Sequence, residues 1–426
     1  MATKLHQRAS KYILVDHFDL IFDHEKSHGN FIVDKQTGKQ YLDAFSFIAS
    51  NPIGHNHPKM FDRDFEARLL AAARINPSNS DILTEEYVSF LETFFDVAVP
   101  DYFRDSFFIA GGTLAVENAL KVAFDWKYRK LQDKGITVNE NDLKVVHFKN
   151  AFHGRSGYTL TLTNTADPRK YELFPKFENW PRLEAPAIHS SISADEQRQL
   201  DADFLKQAHD QLEKLGHGLA AIIIEPIQGE GGDCHFTKDF HLGLRKLADS
   251  FDMLLIYDEV QSGVGLTGKM WAHQHYDVKP DLISFGKKMQ VCGILSGDKV
   301  RTVQGNVFEE KSRINSTWGG TLVDFVRAQK YLEIIKEERL VENAANVGSY
   351  LLDGLKNLGL ENARGKGLMC AFDMSSTKER DRVVQNCYSN GLFVLGCGSK
   401  SVRLRPSLTF SKSNTNLLLD VLKKSL

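Results

Sequence analysis

An acid and an amine follow two of the most apolar segments of the chain. Asp258 ends the run LLIYD, and Lys287 follows the run LISFG. A carboxylate and a lysine amine at neighbouring strand ends can hold opposite sides of one aromatic cofactor. The acid keeps a ring nitrogen protonated, while the amine condenses with a carbonyl. Either residue alone is more simply interpreted as a solvated loop charge, but the two together favour a site.

A third feature adds a place for phosphate. The run SFFIA ends in Gly111-Gly112-Thr113, and a helical pattern follows. The free N–H groups and the positive dipole end of a helix N-terminus attract anions. Glycine at such a turn can also be required for steric reasons alone. The acid, the amine and the glycine turn together predict a site for a phosphorylated aromatic cofactor.

The elements that must position these residues form an alternating pattern. Because apolar segments without alternation are typical of strands buried on both faces, the pattern predicts an α/β fold with a mostly parallel sheet. Ligands bind beyond the carboxyl ends of such strands, where all three features lie. The predicted strands are 106–110, 144–148, 221–224, 254–257 and 282–285. Apolar stripes at helical spacing predict crossover helices around Val116–Phe124 and Phe240–Phe251.

The pattern changes after about residue 320. A long helical stretch over 324–347 is followed by short strand-like pieces near 368–372 and 392–395, and then by a closing helix. We therefore expect a large cofactor-binding domain over 63–320 and a smaller α+β domain over 321–426. The N-terminal segment 1–62 is expected to pack with the smaller domain.

Composition excludes several classes of function. The 426 residues include 53 basic and 55 acidic side chains and carry a formal charge of -2, with no basic block. Neither a nucleic acid nor a membrane surface is therefore an expected partner. No apolar run approaches the ~20 residues that cross a bilayer, and charges interrupt the N-terminus, so a cytoplasmic location is expected. The five cysteines form no C-x-x-C pair, which argues against a disulfide framework or a structural zinc site.

Two further motifs have simpler interpretations than the chemistry they suggest. The segment GVGLTG at 263–268 matches a dinucleotide fingerprint, but no amphipathic helix follows it, so a glycine-rich loop is expected. His55-x-His57 and His273-x-His275 could seat a metal, but no cysteine or acid cluster completes either pair. No metal is therefore predicted.

The motifs together resemble the class-III aminotransferases, pyridoxal 5'-phosphate enzymes of fold type I. The similarity runs through GNFIVDKQTGKQYLDAFSFIASNPIGHNHP, GGTLAVENALK, AFHGRSGY, IIEPIQGEGGD, LLIYDEVQSGVGLTG, PDLISFGKKMQVCG, STWGGT and VRLRPSL, and so covers nearly the whole chain. The resemblance implies a mostly parallel seven-stranded sheet in a large domain, with a smaller α+β domain. Within the class, NPSNSD, ENALKVAFDWKYR and STWGGTLVD are most similar to members that act on the ε-amino group of lysine, with 4-aminobutyrate enzymes next.

The resemblance implies roles for the residues around the cofactor. Lys287 would hold the cofactor as a Schiff base and, once released, would move a proton between substrate and cofactor. Its neighbour Lys288 is the rival for this role. Asp258 would pair with the pyridinium nitrogen, and Gln261 would hydrogen-bond near the ring hydroxyl.

Further residues would bind the phosphate and the ring. Gly112 and Thr113 would bind the cofactor phosphate at the helix N-terminus. Thr317 would reach the same phosphate from a second subunit, so the resemblance implies a homodimer with shared active sites. Phe152 would stack on the ring, although it could equally be one of the many core phenylalanines.

Two arginines would recognise substrate carboxylates, because a guanidinium binds a carboxylate bidentately. Arg155 would bind the carboxylate farther from the reacting carbon, and Arg403 the α-carboxylate of glutamate, with Arg405 as a possible substitute. When lysine is bound by its far end, Arg403 would face no carboxylate. Glu230 could then neutralise Arg403 and swing away when glutamate arrives. Glu225 would support the site without touching the substrate.

The implied reaction moves the ε-amino group of L-lysine to 2-oxoglutarate. The products would be L-glutamate and 2-aminoadipate 6-semialdehyde, which cyclises to piperideine-6-carboxylate because its own α-amine attacks the aldehyde. An alternative is another ω-amino acid transaminase, for 4-aminobutyrate or ornithine. Two further alternatives are a relative that decarboxylates or shifts an amino group within one substrate, and a catalytically silent cofactor-binding protein.

Overall fold

A computed structural model describes residues 4–426 of the chain. Its strands, within this range, are short and separated by helices or loops. They are β1 (Phe31–Val33), β2 (Gln40–Asp43), β3 (Phe103–Ile109), β4 (Lys144–Phe148), β5 (Arg182–Leu183), β6 (Leu219–Ile224), β7 (Leu254–Asp258), β8 (Leu282–Phe285), β9 (Cys292–Gly297), β10 (Glu361–Lys366), β11 (Met369–Asp373), β12 (Leu392–Phe393), β13 (Leu395–Cys397) and β14 (Ser401–Leu404).

The helices connect and cover these strands. In the described part of the chain they are α1 (Lys4–Ala9), α2 (Arg63–Ala73), α3 (Glu85–Val97), α4 (Gly112–Asp133), α5 (Gly157–Leu162), α6 (Ala194–Leu212), α7 (Lys238–Ser250), α8 (Asp298–Arg301), α9 (Leu322–Glu337), α10 (Leu340–Asn357), α11 (Thr377–Ser389) and α12 (Lys412–Ser425). Residues 46–49 form a left-handed turn in which every φ is positive.

The central sheet has seven strands in the order β3-β9-β8-β7-β6-β4-β5. Strand β9 is antiparallel to β3 and β8, and the other strands run parallel to one another. The expected mostly parallel α/β sheet is confirmed, and all five predicted strands lie in it. The prediction missed β5, which has only two residues, and β9, whose sequence CGILSG is framed by glycines.

The core explains why these segments form a sheet. Every residue of β6, β7 and β8 is buried, because helices cover both faces. Helix α4 packs an alanine and valine stripe against one face, and α7 packs Phe240, Leu244 and Leu247 against the other. Helix α7 begins where the Thr237 hydroxyl accepts a hydrogen bond from the Phe240 N–H. The carboxyl ends of the strands remain as the edge where a ligand can enter.

The C-terminal part of the chain forms a four-stranded antiparallel sheet in the order β10-β11-β14-β13. The helical stretch expected over 324–347 is instead divided between α9 and α10, because Arg339 between them adopts a left-handed conformation with φ 53°. Strand β12 pairs in parallel with β2, which joins the N-terminal segment to the C-terminal part. The division at residues 62 and 320 stays a prediction. Within 4–426 no helix combines the length and the apolarity needed to cross a bilayer.

Candidate active site

A cavity of about 310 Å³ lies at the carboxyl ends of the parallel strands. This volume is at the lower end of the range for small-molecule sites. Residues that follow β3, β4, β6, β7 and β8 all reach it. Its lining is Gly112, Thr113, Phe152, His153, Gly154, Glu225, Asp258, Val260, Gln261, Lys287 and Cys292. Six of the residues predicted for the site, which come from four distant segments, therefore meet in one cavity.

Asp258 ends β7, and three donors hold its carboxylate in one orientation. Oδ1 accepts from the Val260 N–H at 3.1 Å and from the Ser284 hydroxyl at 3.0 Å, while Oδ2 lies 2.7 Å from Nδ1 of His153. His153 is buried, and its Nε2 has no hydrogen-bond partner in the described residues. His153 was not predicted from the sequence, although it directly follows Phe152 in the FHGR segment. A carboxylate fixed in this way can form an ion pair with a cationic ring nitrogen in the cavity.

Two adjacent lysines follow β8, but only Lys287 lines the cavity. Burial lowers the pKa of Lys287 to about 8, and the charge of Arg403 adds to the effect. The Nζ of Lys288 instead donates to the carbonyls of Asn51 and Pro406, at 3.2 and 3.3 Å. Its pKa is lowered to about 7 by burial. Lys287 is therefore the amine placed to react with a ligand in the cavity, because a lowered pKa leaves more of it neutral and nucleophilic.

Glu225, which follows β6, holds the chain around Phe152. Its Oε1 accepts from the Phe152 N–H at 2.9 Å, and its Oε2 accepts from the Gly229 N–H at 3.0 Å. Burial raises the pKa of Glu225 to about 7. Both contacts are to the backbone, so this side chain positions the loop that carries the Phe152 ring.

The phosphate site predicted at the start of α4 is tightly packed. A Cβ added at Gly112 would lie 2.7 Å from Cγ1 of Val260, and one added at Gly154 would lie 2.5 Å from Oγ1 of Thr113. Gly154 also has φ +130°, a conformation that favours glycine. These glycines keep backbone N–H groups and the Thr113 hydroxyl open to the cavity, as an anion at a helix N-terminus requires.

The two arginines near β14 have different partners. Arg403 is buried, and its Nη2 lies 2.8 Å from Oε2 of Glu230, while its Nε and Nη1 have no partner in the described residues. Arg405 is fully occupied: it pairs with Asp233, donates to Oε1 of Gln261 at 3.1 Å, and donates to the Leu404 carbonyl at 2.9 Å. Arg403 therefore has unused donors for a substrate carboxylate, whereas Arg405 holds together the wall behind Gln261.

Four predicted residues do not line the cavity of this chain: Arg155, Glu230, Thr317 and Arg403. Arg155 is exposed, with its guanidinium carbon 5.9 Å from the Phe152 ring centroid. Thr317 is also exposed, and its carbonyl accepts a hydrogen bond from the Ser78 hydroxyl at 2.6 Å. Glu230 is half-buried and pairs with Lys170 as well as with Arg403. Lys170 is a second residue that was not predicted from the sequence.

The histidine pairs have partners other than a metal. His55 bonds Asp43 at 2.9 Å, and His273 bonds Glu259 at 3.0 Å. His57 bonds Glu338 and His275 bonds Thr267, so neighbouring histidines point to different partners.

Comparison with known proteins places the chain in a family. Residues 12–426 match the family model described as Aminotransferase class-III. An L-lysine-epsilon aminotransferase of Mycobacterium bovis is 44% identical over 99% of this chain and 95% of its own length. One from Amycolatopsis lactamdurans is 44% identical over 100% of this chain and 96% of its own length. A solved lysine aminotransferase from M. tuberculosis, described as the internal aldimine form, matches with a TM-score of 0.97 and 44% identity over 99% of this chain and 98% of that one.

The residues of the cavity fit the cofactor of this family, pyridoxal 5'-phosphate. The helix N-terminus at Gly112, with Gly154 packed against Thr113, suits a phosphate. The anchored Asp258 carboxylate suits a pyridinium, and Lys287 suits an aldehyde. The chain belongs to the class-III aminotransferases and is a transaminase that depends on pyridoxal 5'-phosphate.

Proposed function

We propose that the protein is an L-lysine 6-transaminase. L-Lysine gives up its ε-amino group in one half-reaction, and 2-oxoglutarate accepts it in the other to become L-glutamate. The lysine product, 2-aminoadipate 6-semialdehyde, cyclises to piperideine-6-carboxylate through its own α-amine. The names of the relatives at 44% identity support lysine as the donor. A probable 4-aminobutyrate aminotransferase from Caenorhabditis elegans is more distant, at 31% identity over 99% of this chain and 90% of its own length.

The observation that carries an ω-amino donor in this proposal is the ion pair between Arg403 and Glu230. With its charge neutralised by Glu230, Arg403 presents no net positive charge to the chain of a lysine substrate near the reacting ε-carbon. Arg155, which is exposed and lies next to the Phe152 ring, is available for the distant carboxylate. A transaminase restricted to α-amino donors would have no need to neutralise Arg403, because every substrate would bring a carboxylate to it.

Residues of the chain can supply the remaining requirements of the reaction. When bound, pyridoxal 5'-phosphate supplies an aldehyde that condenses with amines and a ring that withdraws electrons from the reacting carbon. We assign Asp258 and His153 to holding the charge of the ring nitrogen, and Phe152 and Gln261 to fixing the orientation of the ring. Lys287, with its pKa lowered to about 8, is the base that takes a proton from the ε-carbon of lysine.

The second half-reaction needs Arg403 to become free. In our proposal the α-carboxylate of 2-oxoglutarate or glutamate displaces Glu230 and binds Arg403, whose Nε and Nη1 are buried and have no partner among residues 4–426. The γ-carboxylate binds Arg155. Once Glu230 has left Nη2, a carboxylate can bind Arg403 bidentately through Nη2 together with either Nε or Nη1.

We also propose that the protein is a homodimer in which Thr317 reaches the cofactor phosphate of the partner subunit. Thr317 is exposed here and does not line the cavity of its own chain. The neighbouring Trp318 is 52% exposed. The segment whose Ser78 hydroxyl bonds the Thr317 carbonyl continues into Ile82 and Leu83, which are 64% and 70% exposed. Large apolar side chains clustered at the surface are typical of an interface. The expected cytoplasmic location stays a prediction.

A single-turnover experiment tests the proposed function. The purified holoenzyme is mixed with L-lysine in the absence of an acceptor, and the cyclic imine is quantified by mass spectrometry. We expect one equivalent of imine per active site, followed by one equivalent of glutamate when 2-oxoglutarate is added. L-Ornithine and 4-aminobutyrate are the comparison donors, and a faster half-reaction with either would assign the enzyme to that donor instead.

A further inference from the structure

The carboxylate of Glu230 lies between two cations. Oε2 pairs with Nη2 of Arg403 at 2.8 Å, and Oε1 pairs with the ammonium of Lys170. Burial alone would raise the pKa of Glu230, but the two cations outweigh it and keep the pKa below its usual value. Glu230 is therefore a carboxylate shared between the buried Arg403 and the partly exposed Lys170.

The backbone at Glu230 is held by its neighbours. The Glu230 carbonyl accepts a hydrogen bond from the Gly398 N–H at 3.0 Å. A Cβ added at the next residue, Gly231, would lie 1.9 Å from the Asn150 carbonyl oxygen, so the backbone is packed closely on that side. A change of partner must therefore come from rotation of the Glu230 side chain.

A second cavity gives this rotation room. Lys170 and Glu230 both line it, and its volume is about 480 Å³. The other cations that line the cavity already have acid partners, since Arg169 pairs with Asp167 and Arg380 pairs with Asp381. Among the described residues around this cavity, Lys170 is thus the cation whose ion pair is with Glu230.

We propose that Lys170 is a positioning residue that receives Glu230 when a substrate carboxylate takes Arg403. This inference rests on the proposed function, because it needs two substrates that make different demands on Arg403. With Lys170 present, Glu230 leaves Arg403 without losing all of its charge compensation. Without Lys170, Glu230 would have Arg403 as its remaining ion-pair partner, and an incoming carboxylate would have to displace it into water.

Loss of Lys170 should change the affinities for the two substrates differently. A charge-assisted hydrogen bond is worth about 10- to 150-fold in affinity, but water replaces part of it at a partly exposed carboxylate, so we expect about a 5- to 20-fold change here. Loss of Lys170 therefore lowers the affinity for 2-oxoglutarate by about this factor. It does not lower the affinity for lysine, because the ion pair between Arg403 and Glu230, which lysine binding needs, is left intact or strengthened.

Binding of glutarate, a dicarboxylate that has no amino or keto group to react, tests this role in the holoenzyme by calorimetry. In Lys170→Met we expect the Kd for glutarate and the KM for 2-oxoglutarate to rise about 5- to 20-fold, with kcat/KM for the lysine half-reaction within about twofold. Lys170→Arg should restore most of the affinity. The matched control is Arg169→Met, which removes the same charge from the adjacent residue, whose side chain is 83% exposed.

A second variant tests whether Lys170 acts through Glu230. In a Glu230→Gln background, Lys170→Met should leave the affinity for glutarate unchanged, since the charge that Lys170 receives is gone. Equal losses in both half-reactions, the same effect in Arg169→Met, or an undiminished effect in the Glu230→Gln background would overturn the proposal. If the wild type failed to deaminate lysine, the proposed function would be wrong, but the glutarate affinities would still decide the role of Lys170.

Discussion

Replacing Arg403 or Arg405 with methionine should produce opposite phenotypes, although the two arginines are separated by one residue. The pair between Arg405 and Asp233 is almost completely buried, with side-chain exposures of 1% and 0%. Arg405→Met would leave the Asp233 carboxylate without its cation. Removing one partner of a buried ion pair costs about 3–5 kcal/mol of stability.

Arg403→Met should cost much less stability, because Glu230 is 21% exposed and keeps its pair with Lys170. We expect a loss of less than about 1 kcal/mol, because the carboxylate left behind is partly exposed and still paired. The effect on the acceptor should be large. Hydrogen bonds to a charged group are worth about 1.5–3 kcal/mol, which corresponds to a decrease of about 10- to 150-fold in kcat/KM for 2-oxoglutarate.

Urea unfolding of each variant, followed by single-turnover assays with lysine and with 2-oxoglutarate, measures both effects. The expected outcome is a stable Arg403→Met enzyme that still deaminates lysine and a destabilised Arg405→Met enzyme. A fully stable Arg405→Met enzyme that had lost 2-oxoglutarate binding would refute our assignment and make Arg405 the substrate arginine. Arg403→Lys is a useful comparison, since it keeps the charge but lacks the planar fork.

Three further results are expected. Burial lowers the pKa of Lys287 to about 8, so about a tenth of this amine is neutral at pH 7. The rate at which the apoenzyme captures the cofactor, measured by stopped flow, should therefore rise roughly tenfold from pH 7 and level off above pH 8. A rate that did not change with pH would contradict this. Borohydride reduction of the holoenzyme and peptide mapping should label Lys287, and a label on Lys288 would reverse their roles. Gly112→Ala should weaken cofactor binding, because its Cβ would lie 2.7 Å from Val260, and Val260→Ala in the same chain should restore part of the affinity.

The sheet could be predicted from the sequence because its central strands are buried on both faces. Burial of this kind leaves continuous apolar runs, such as the AIII segment of β6 and the LLIY segment of β7. Strand β9 carries no such run, and its position between β3 and β8 depends on pairing with segments far away in sequence. The break between α9 and α10 was missed for a related reason. Arg339 has ordinary helix propensity, so its residue type gives no sign of its left-handed conformation.

The candidate site was predictable where a residue sits at a strand end. Asp258, Lys287 and Gly112 follow strands that the apolar pattern identifies, and parallel strands bring their carboxyl ends to one edge. His153 and Lys170 carry no comparable signal. His153 matters because it donates a hydrogen bond to Asp258, which is far away in sequence. Lys170 matters because it pairs with Glu230 at the second cavity. Only the tertiary structure supplies these partners.

Arg403 and Arg405 show most clearly what local sequence cannot decide. Residues two apart point to the same side of an extended segment, so the VRLRP pattern gives both arginines the same predicted environment. They differ because Asp233 and Gln261, from two other segments, occupy the guanidinium of Arg405, while Glu230 binds only one edge of Arg403. A residue whose donors are all satisfied stabilises the protein, whereas one with spare buried donors can bind a ligand. Counting unsatisfied donors, and not the arginine motif itself, is therefore what identifies Arg403 as the arginine that can bind a substrate carboxylate.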